Sequence, residues 1–124
     1  MQGLHLTADL SGCAAAQPAM TDLAALRALC VGAVTAAGLQ AVGECFHPFP
    51  SEGGEPRGVT GVLLLAESHL AVHTWPELGV VTLDLYVCHR QADNSARAEA
   101  ALAALLEGFA AADVRVHRVQ RGAA

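Results

Sequence analysis

The densest run of reactive side chains is Glu67-Ser68-His69-Leu70-Ala71-Val72-His73-Thr74-Trp75-Pro76-Glu77. A serine hydroxyl near a histidine is the raw material of acyl chemistry, in which oxygen attacks a carbonyl and imidazole moves the proton. The surroundings narrow that choice. No GxSxG elbow encloses Ser68, which counts against a hydrolase nucleophile of that kind. His69 and His73 are four apart, but the β-branched Val72 and Thr74, with Pro76, oppose a helix. They do not read as the zinc pair of an HExxH motif. Cys13, Cys30, Cys45 and Cys88 include no CxxC spacing, so neither a metal site nor a thioredoxin-like motif is expected.

The composition removes other chemistries. All seven basic residues are arginine, and the chain of 124 residues contains no lysine. That excludes a lysine Schiff base and hence pyridoxal-phosphate catalysis by this chain. The formal net charge is −5 and the arginines are scattered, so no nucleic-acid partner is expected. No apolar stretch approaches the roughly 20 residues of a membrane span. The N-terminal MQGLHLTADL does not read as a signal peptide. The expected compartment is the cytoplasm, with free thiols.

The elements that must position Ser68 follow from periodicity. Gly3–Leu10 alternates as a strand. Pro18 and a cap at Thr21 or Asp22 open the helix LAALRALCVGAVTAAG, which Gly38 stops. Leu39–Phe46 is a second strand. Residues 48–58, rich in proline and glycine, form a loop and surface flap. Val59–Ala66, nearly all aliphatic, is a central strand that delivers Glu67 and Ser68 at its end. A short segment to Trp75–Pro76 leads to the strand Gly79–Cys88, whose Val81, Leu83, Leu85 and Val87 alternate with Thr82, Asp84, Tyr86 and Cys88. Asp93-Asn94-Ser95 caps a second helix, and Val114–Gln120 is the last strand. The order β-α-β-β-β-α-β, or βαββαβ if the middle is one hairpin, predicts a single α+β domain over 1–124. Its architecture is a two-layer α/β sandwich with two helices on one face of a largely antiparallel sheet.

Gly58-Val59-Thr60-Gly61-Val62 followed by Ala66–Glu77 resembles the signature of bacterial S-adenosylmethionine decarboxylase proenzymes. His5, Asp9–Cys13, Phe46-His47-x-Phe49, and Asp84 with Cys88 add to the match, which covers nearly the whole chain apart from the 50–57 loop. Decarboxylation next to an amine needs an electron sink, and a chain without lysine must make its own carbonyl. The resemblance implies that the Ser68 hydroxyl attacks the carbonyl of Glu67 and that the resulting ester undergoes β-elimination. The chain then splits into a β chain, 1–67, and an α chain, 68–124, headed by a pyruvoyl cofactor made from Ser68. That ketone condenses with the substrate amine and accepts electrons as carbon dioxide leaves.

The same resemblance implies the remaining roles. His73 matches the histidine that moves the proton lost in elimination. Thr60 stands where relatives often carry serine and supports the acyl shift. Cys88 matches the acid that reprotonates the decarboxylated carbon. Phe49 would stack on adenine, and Glu77 would accept hydrogen bonds from the ribose. The implied substrate is S-adenosylmethionine, for spermidine and hence polyamine biosynthesis. The implied assembly is a homodimer of cleaved protomers, (αβ)₂, with its sites at the interface.

The other candidates have plainer readings. Cys13, Cys30 and Cys45 read as structural; His5, His47, His69, His89 and His117 as packed or surface histidines; Trp75 as core or interface; and the arginines, Arg57 and Arg90 included, as solubilising charges. Three departures bear on substrate: Leu78 and Val80 where aromatics are common, a longer acidic loop at Ser51–Arg57, and Pro48 and Pro50 bracketing Phe49. Some proteins resembling this family decarboxylate L-ornithine or L-arginine, and Glu52, Glu55 or Asp84 could face such a cationic tail. A third alternative is an unprocessed binding module.

Overall fold

A computed structural model describes residues 1–51 and 53–122. Glu52, one of the acids considered for a cationic substrate, lies outside the described residues. The elements run β1 (Gly3–Ser11), α1 (Pro18–Thr21), α2 (Leu23–Ala36), β2 (Ala41–Pro48), β3 (Val59–Leu65), β4 (Ser68–Trp75), β5 (Val80–Cys88), α3 (Ser95–Phe109) and β6 (Asp113–Arg121). The six strands form one sheet in the order β2-β3-β4-β5-β1-β6, with every neighbouring pair antiparallel. The expected α+β sandwich is present, with one strand and one short helix more than the periodicity gave.

The additional strand is β4. Leu70, Val72 and Thr74 are buried while His69, Ala71 and His73 are only partly so, which is the two-residue period of a strand covered on one face. The polar His69 and His73 and the small Ala71 made that segment look like a connection. It sits near the middle of the sheet, between β3 and β5.

Helices cover one face. Leu6, Leu63, Leu70, Leu83 and Leu85 from the sheet meet Leu26, Leu105 and Phe109 from the helices, each almost fully buried. Truncating any of these leucines to alanine would cost about 2–5 kcal/mol. Asp22 starts α2 by accepting a hydrogen bond from the Ala24 N–H at 3.2 Å. At the other end Gly38 adopts φ 87°. Its N–H and that of Leu39 return to the carbonyls of Thr35 and Val34 at 3.0 and 2.9 Å, a paired stop that glycine permits. Arg27 grips Glu44 across α2 and β2, and Arg118 grips Glu99 across β6 and α3.

Among the described residues, no helix covers the second face. Along it, in strand phase, lie Thr60 and Leu64 of β3, His69, His73 and Trp75 of β4, Asp84 and Tyr86 of β5, and His5 of β1. No helix among the described residues is long and apolar enough to cross a membrane.

Candidate active site

The turn between β3 and β4 has only two residues, Ala66 and Glu67, since Leu65 pairs with Ser68. Glu67 takes φ 56°, a left-handed conformation that costs a side-chain-bearing residue on the order of 1 kcal/mol. Ser68 follows at once as the first residue of β4 and is half-buried. Its Oγ accepts a hydrogen bond from the Cys88 N–H at 3.0 Å. The peptide expected to break thus combines a strained turn with a serine oxygen that already has a donor.

Cys88 ends β5 and is held on several sides. Asn94 Nδ2 donates to its carbonyl at 2.8 Å, and the Arg90 N–H donates to its Sγ at 3.3 Å. The thiol is 3.8 Å from Glu67 Oε2, and the Arg90 guanidinium donates to Glu67 Oε1 at 2.9 Å. Of the expected cap Asp93-Asn94-Ser95, Asn94 occupies the N-cap position of α3 but makes no side-chain cap hydrogen bond. Its side chain instead holds the end of β5, and Asp93 accepts from the Ser95 N–H at 2.9 Å.

Thr60, His73, Phe49 and Glu77 gather elsewhere. Thr60 Oγ1 and His73 Nδ1 are 3.1 Å apart across the β3–β4 pair. His73 lies beside Trp75, with ring centroids 5.9 Å apart. Together with Phe49, Arg57 and Glu77 they wall a cavity of about 570 Å³, large enough for a small molecule. Phe49 is 48% exposed and Trp75 37%, so both aromatic faces are available rather than spent on the core. Gly58 lets this wall close: a Cβ there would fall 1.8 Å from the Thr74 carbonyl oxygen. Thr74 is itself buried, donating to the Met20 carbonyl at 2.8 Å and accepting from the Val59 N–H at 2.9 Å.

The site residues therefore form two groups. Glu67, Ser68 and Cys88 meet at one end of β4; Thr60, His73, Phe49 and Glu77 meet at the other. Sequence proximity had suggested a single cluster, but an extended strand holds its ends apart. Trp75, expected in core or interface, lines the cavity. Arg57 and Arg90, expected as solubilising charges, face Glu77 and Glu67. Arg57 is next to Gly58 and Arg90 two residues after Cys88, which is the signal the sequence offers. Asp84 pairs with His5 at 2.9 Å, and neither it nor Glu55 lines the cavity. His5, read as packed or surface, thus serves to hold that carboxylate. Cys45 is exposed, whereas burial raises the Cys13 thiol and pushes Cys30 up to about 12.

The likeness to characterised proteins extends over both sequence and fold. A family model described as S-adenosylmethionine decarboxylase matches residues 4–122. An S-adenosylmethionine decarboxylase proenzyme of Moorella thermoacetica is 36% identical over 97% of this chain and 87% of its own. One from Archaeoglobus fulgidus is 34% identical over 97% of both. The crystal structure of the adenosylmethionine decarboxylase from Aquifex aeolicus superposes with a TM-score of 0.84 at 32% identity, covering 98% of this chain and 92% of that one. The fold and the matched sequence are those of a decarboxylase class of enzyme. The chain belongs to the S-adenosylmethionine decarboxylase family.

Proposed function

We propose that this chain is a proenzyme that cuts itself between Glu67 and Ser68 and then decarboxylates S-adenosylmethionine, supplying the aminopropyl donor of spermidine and polyamine biosynthesis. The observation that carries the reading is the strained Glu67-Ser68 turn, with the Ser68 oxygen bonded to the Cys88 amide.

The Ser68 hydroxyl adds to the Glu67 carbonyl carbon, and the peptide C–N bond breaks as the C–O bond forms, leaving an ester and a free amine. Unwinding the left-handed turn favours this step. Loss of the Ser68 α-proton then expels the Glu67 carboxylate. The dehydrated amino terminus takes up water and releases ammonia, leaving a ketone. His73 is the base for the α-proton, and Thr60 orients its ring through Nδ1.

Position 68 suits a pyruvoyl group. The site is half-buried, an N–H donor already faces the side-chain oxygen, and no lysine competes for the role. A ketone there supplies the electron sink. Cys88 holds the proton that the substrate carbon receives after carbon dioxide departs. Phe49 stacks on the adenine, with Trp75 beside it, and Glu77 accepts hydrogen bonds from the ribose.

His73 and the cavity lie about 16 Å along β4 from Ser68. A second copy, turned antiparallel, would bring its Thr60–His73 end to the end of the sheet where the first copy's Ser68 and Cys88 meet, and Ser68, as the half-buried first residue of β4 after a two-residue turn, is reachable from that end. The active assembly is accordingly the (αβ)₂ homodimer, with each site composed from both copies. The four free cysteines suit a reducing cytoplasm. An intact-mass measurement, with carbon-dioxide release from S-adenosylmethionine, ornithine and arginine side by side, tests the proposal. Two fragments that meet at position 68 and turnover of the sulfonium substrate uphold it. A permanently full-length chain, or preference for ornithine or arginine, refutes it.

A further inference from the structure

Both ring nitrogens of His89 are engaged, and the partners fix its tautomer. The Asn94 N–H donates to Nδ1 at 3.1 Å, so that nitrogen carries a lone pair and no proton. The neutral ring then has its hydrogen on Nε2, which stands 3.3 Å from Ser95 Oγ and 3.8 Å from Asp93 Oδ1. The side chain is only 13% exposed, and the His89 main-chain N–H donates to the Gln2 carbonyl at 2.8 Å. A histidine held this way acts as a strut. It ties the residue after β5 to the first residues of α3 and closes the connection 89–94 on itself.

Cys88 hangs on that connection. Its carbonyl accepts from Asn94 Nδ2 at 2.8 Å, and its Sγ accepts from the Arg90 N–H at 3.3 Å. Both donors lie in the segment that the imidazole closes. The bond from the Cys88 N–H to Ser68 Oγ leaves from the strand instead. A short connection without helix or strand recovers backbone freedom when its bracing bond is lost. Loss of the strut therefore frees the thiol before it frees Ser68.

Resting on the reading that Cys88 is the acid of turnover, we propose that His89 is a positioning residue. Its neutral imidazole braces Asn94 and so aims the Cys88 thiol at the carbon that carbon dioxide leaves. Without the brace the thiol turns in several directions and that carbon takes its proton from elsewhere.

The test compares wild type, His89→Ala and His89→Asn. Asparagine carries an oxygen at the position of the imidazole Nδ1 and keeps an acceptor for the Asn94 N–H. The first readout needs no substrate: alkylation of Cys88, followed by peptide mapping with the buried Cys30 as the reference for global unfolding. His89→Ala should label Cys88 about ten-fold faster than wild type, the scale of one lost hydrogen bond, while Cys30 stays protected. His89→Asn should stay near wild type. The same labelling in a Ser68→Ala background reads any variant that fails to process. The second readout is the share of S-adenosylmethionine turnovers that end in incorrectly protonated product, which should rise in His89→Ala alone, with KM unchanged. An unmoved Cys88 rate in His89→Ala, an equal rise in His89→Asn, parallel labelling of Cys30, or correct protonation throughout would overturn the assignment. Failure of wild type to turn over S-adenosylmethionine would defeat the functional reading, and the bracing of Cys88 would still stand or fall on the alkylation.

Discussion

Ser68 and His73 occupy the same strand but point to opposite faces of the sheet. Ser68 is in phase with the buried Leu70, Val72 and Thr74, and His73 with the partly exposed His69 and Trp75. One copy of the chain therefore cannot bring this imidazole to its own serine without dismantling β4.

Complementation between copies checks that geometry. Ser68→Ala protein should remain a full-length chain indefinitely, and His73→Ala protein should process slowly or stall. Mixed after partial unfolding and refolding, the two should regain cleavage, with every cut in the His73→Ala copy. Mass spectrometry distinguishes the copies if one carries a tag. Absence of any cleavage in the mixture would sink the composite site.

Cys88 should matter to turnover more than to processing. Cys88→Ala keeps the backbone N–H that bonds Ser68 Oγ but loses the thiol. We expect cleavage to proceed and kcat to fall by about 10²–10⁴, the usual effect of removing a general acid. Single-turnover analysis should reveal incorrectly protonated product. Unchanged kcat would remove the thiol from the mechanism.

Glu67→Gly probes the strain at the turn. Glycine accepts a φ of 56° freely, so in a Ser68→Ala background the substitution should stabilise the fold by about 1 kcal/mol in denaturant unfolding. The Glu67–Arg90 pair that it removes is solvent-exposed and worth little. With Ser68 intact, self-cleavage should slow several-fold. Faster cleavage would mean that the turn's strain does not assist the acyl shift.

The thiols offer a check on the core. Alkylation at pH 8 should modify Cys45 within minutes, because it is exposed on β2. Cys30 should react only when the protein unfolds, since burial pushes its thiol up to about 12 and leaves almost no thiolate. Early labelling of Cys30, read by peptide mapping, would show that α2 does not sit on the sheet as described.

Much of this molecule was legible in its residues, and the failures have physical causes. The aliphatic alternation of β1 and β5, and the glycine at the end of α2, announced themselves. In β4 the two-residue period was present, but a face carrying His69, Ala71 and His73 lacks the polar contrast that usually marks a strand. The Pro18–Thr21 helix was too short for any 3.6-residue period to develop. The chemical residues were readable by type, through the run from Ala66 to Glu77. Their division into two groups was not, because nearness along the chain becomes distance once a segment is extended. Arg57 and Arg90 read as solubilising charges because an arginine beside a turn looks the same whether it faces water or a carboxylate.

The strand order has a further consequence for the processed enzyme. A cut after Glu67 leaves β1, β2 and β3 in one fragment and β4, β5 and β6 in the other, yet β1 lies between β5 and β6 while β3 lies against β4. The two fragments are interleaved, so neither can peel away without breaking paired strands on both of its sides. A cut there would alter the molecularity of unfolding, while the strand pairing would hold the two fragments together. The intact precursor can refold alone, whereas the processed form would have to find its lost fragment in dilute solution. Maturation would thus exchange reversible stability for kinetic persistence.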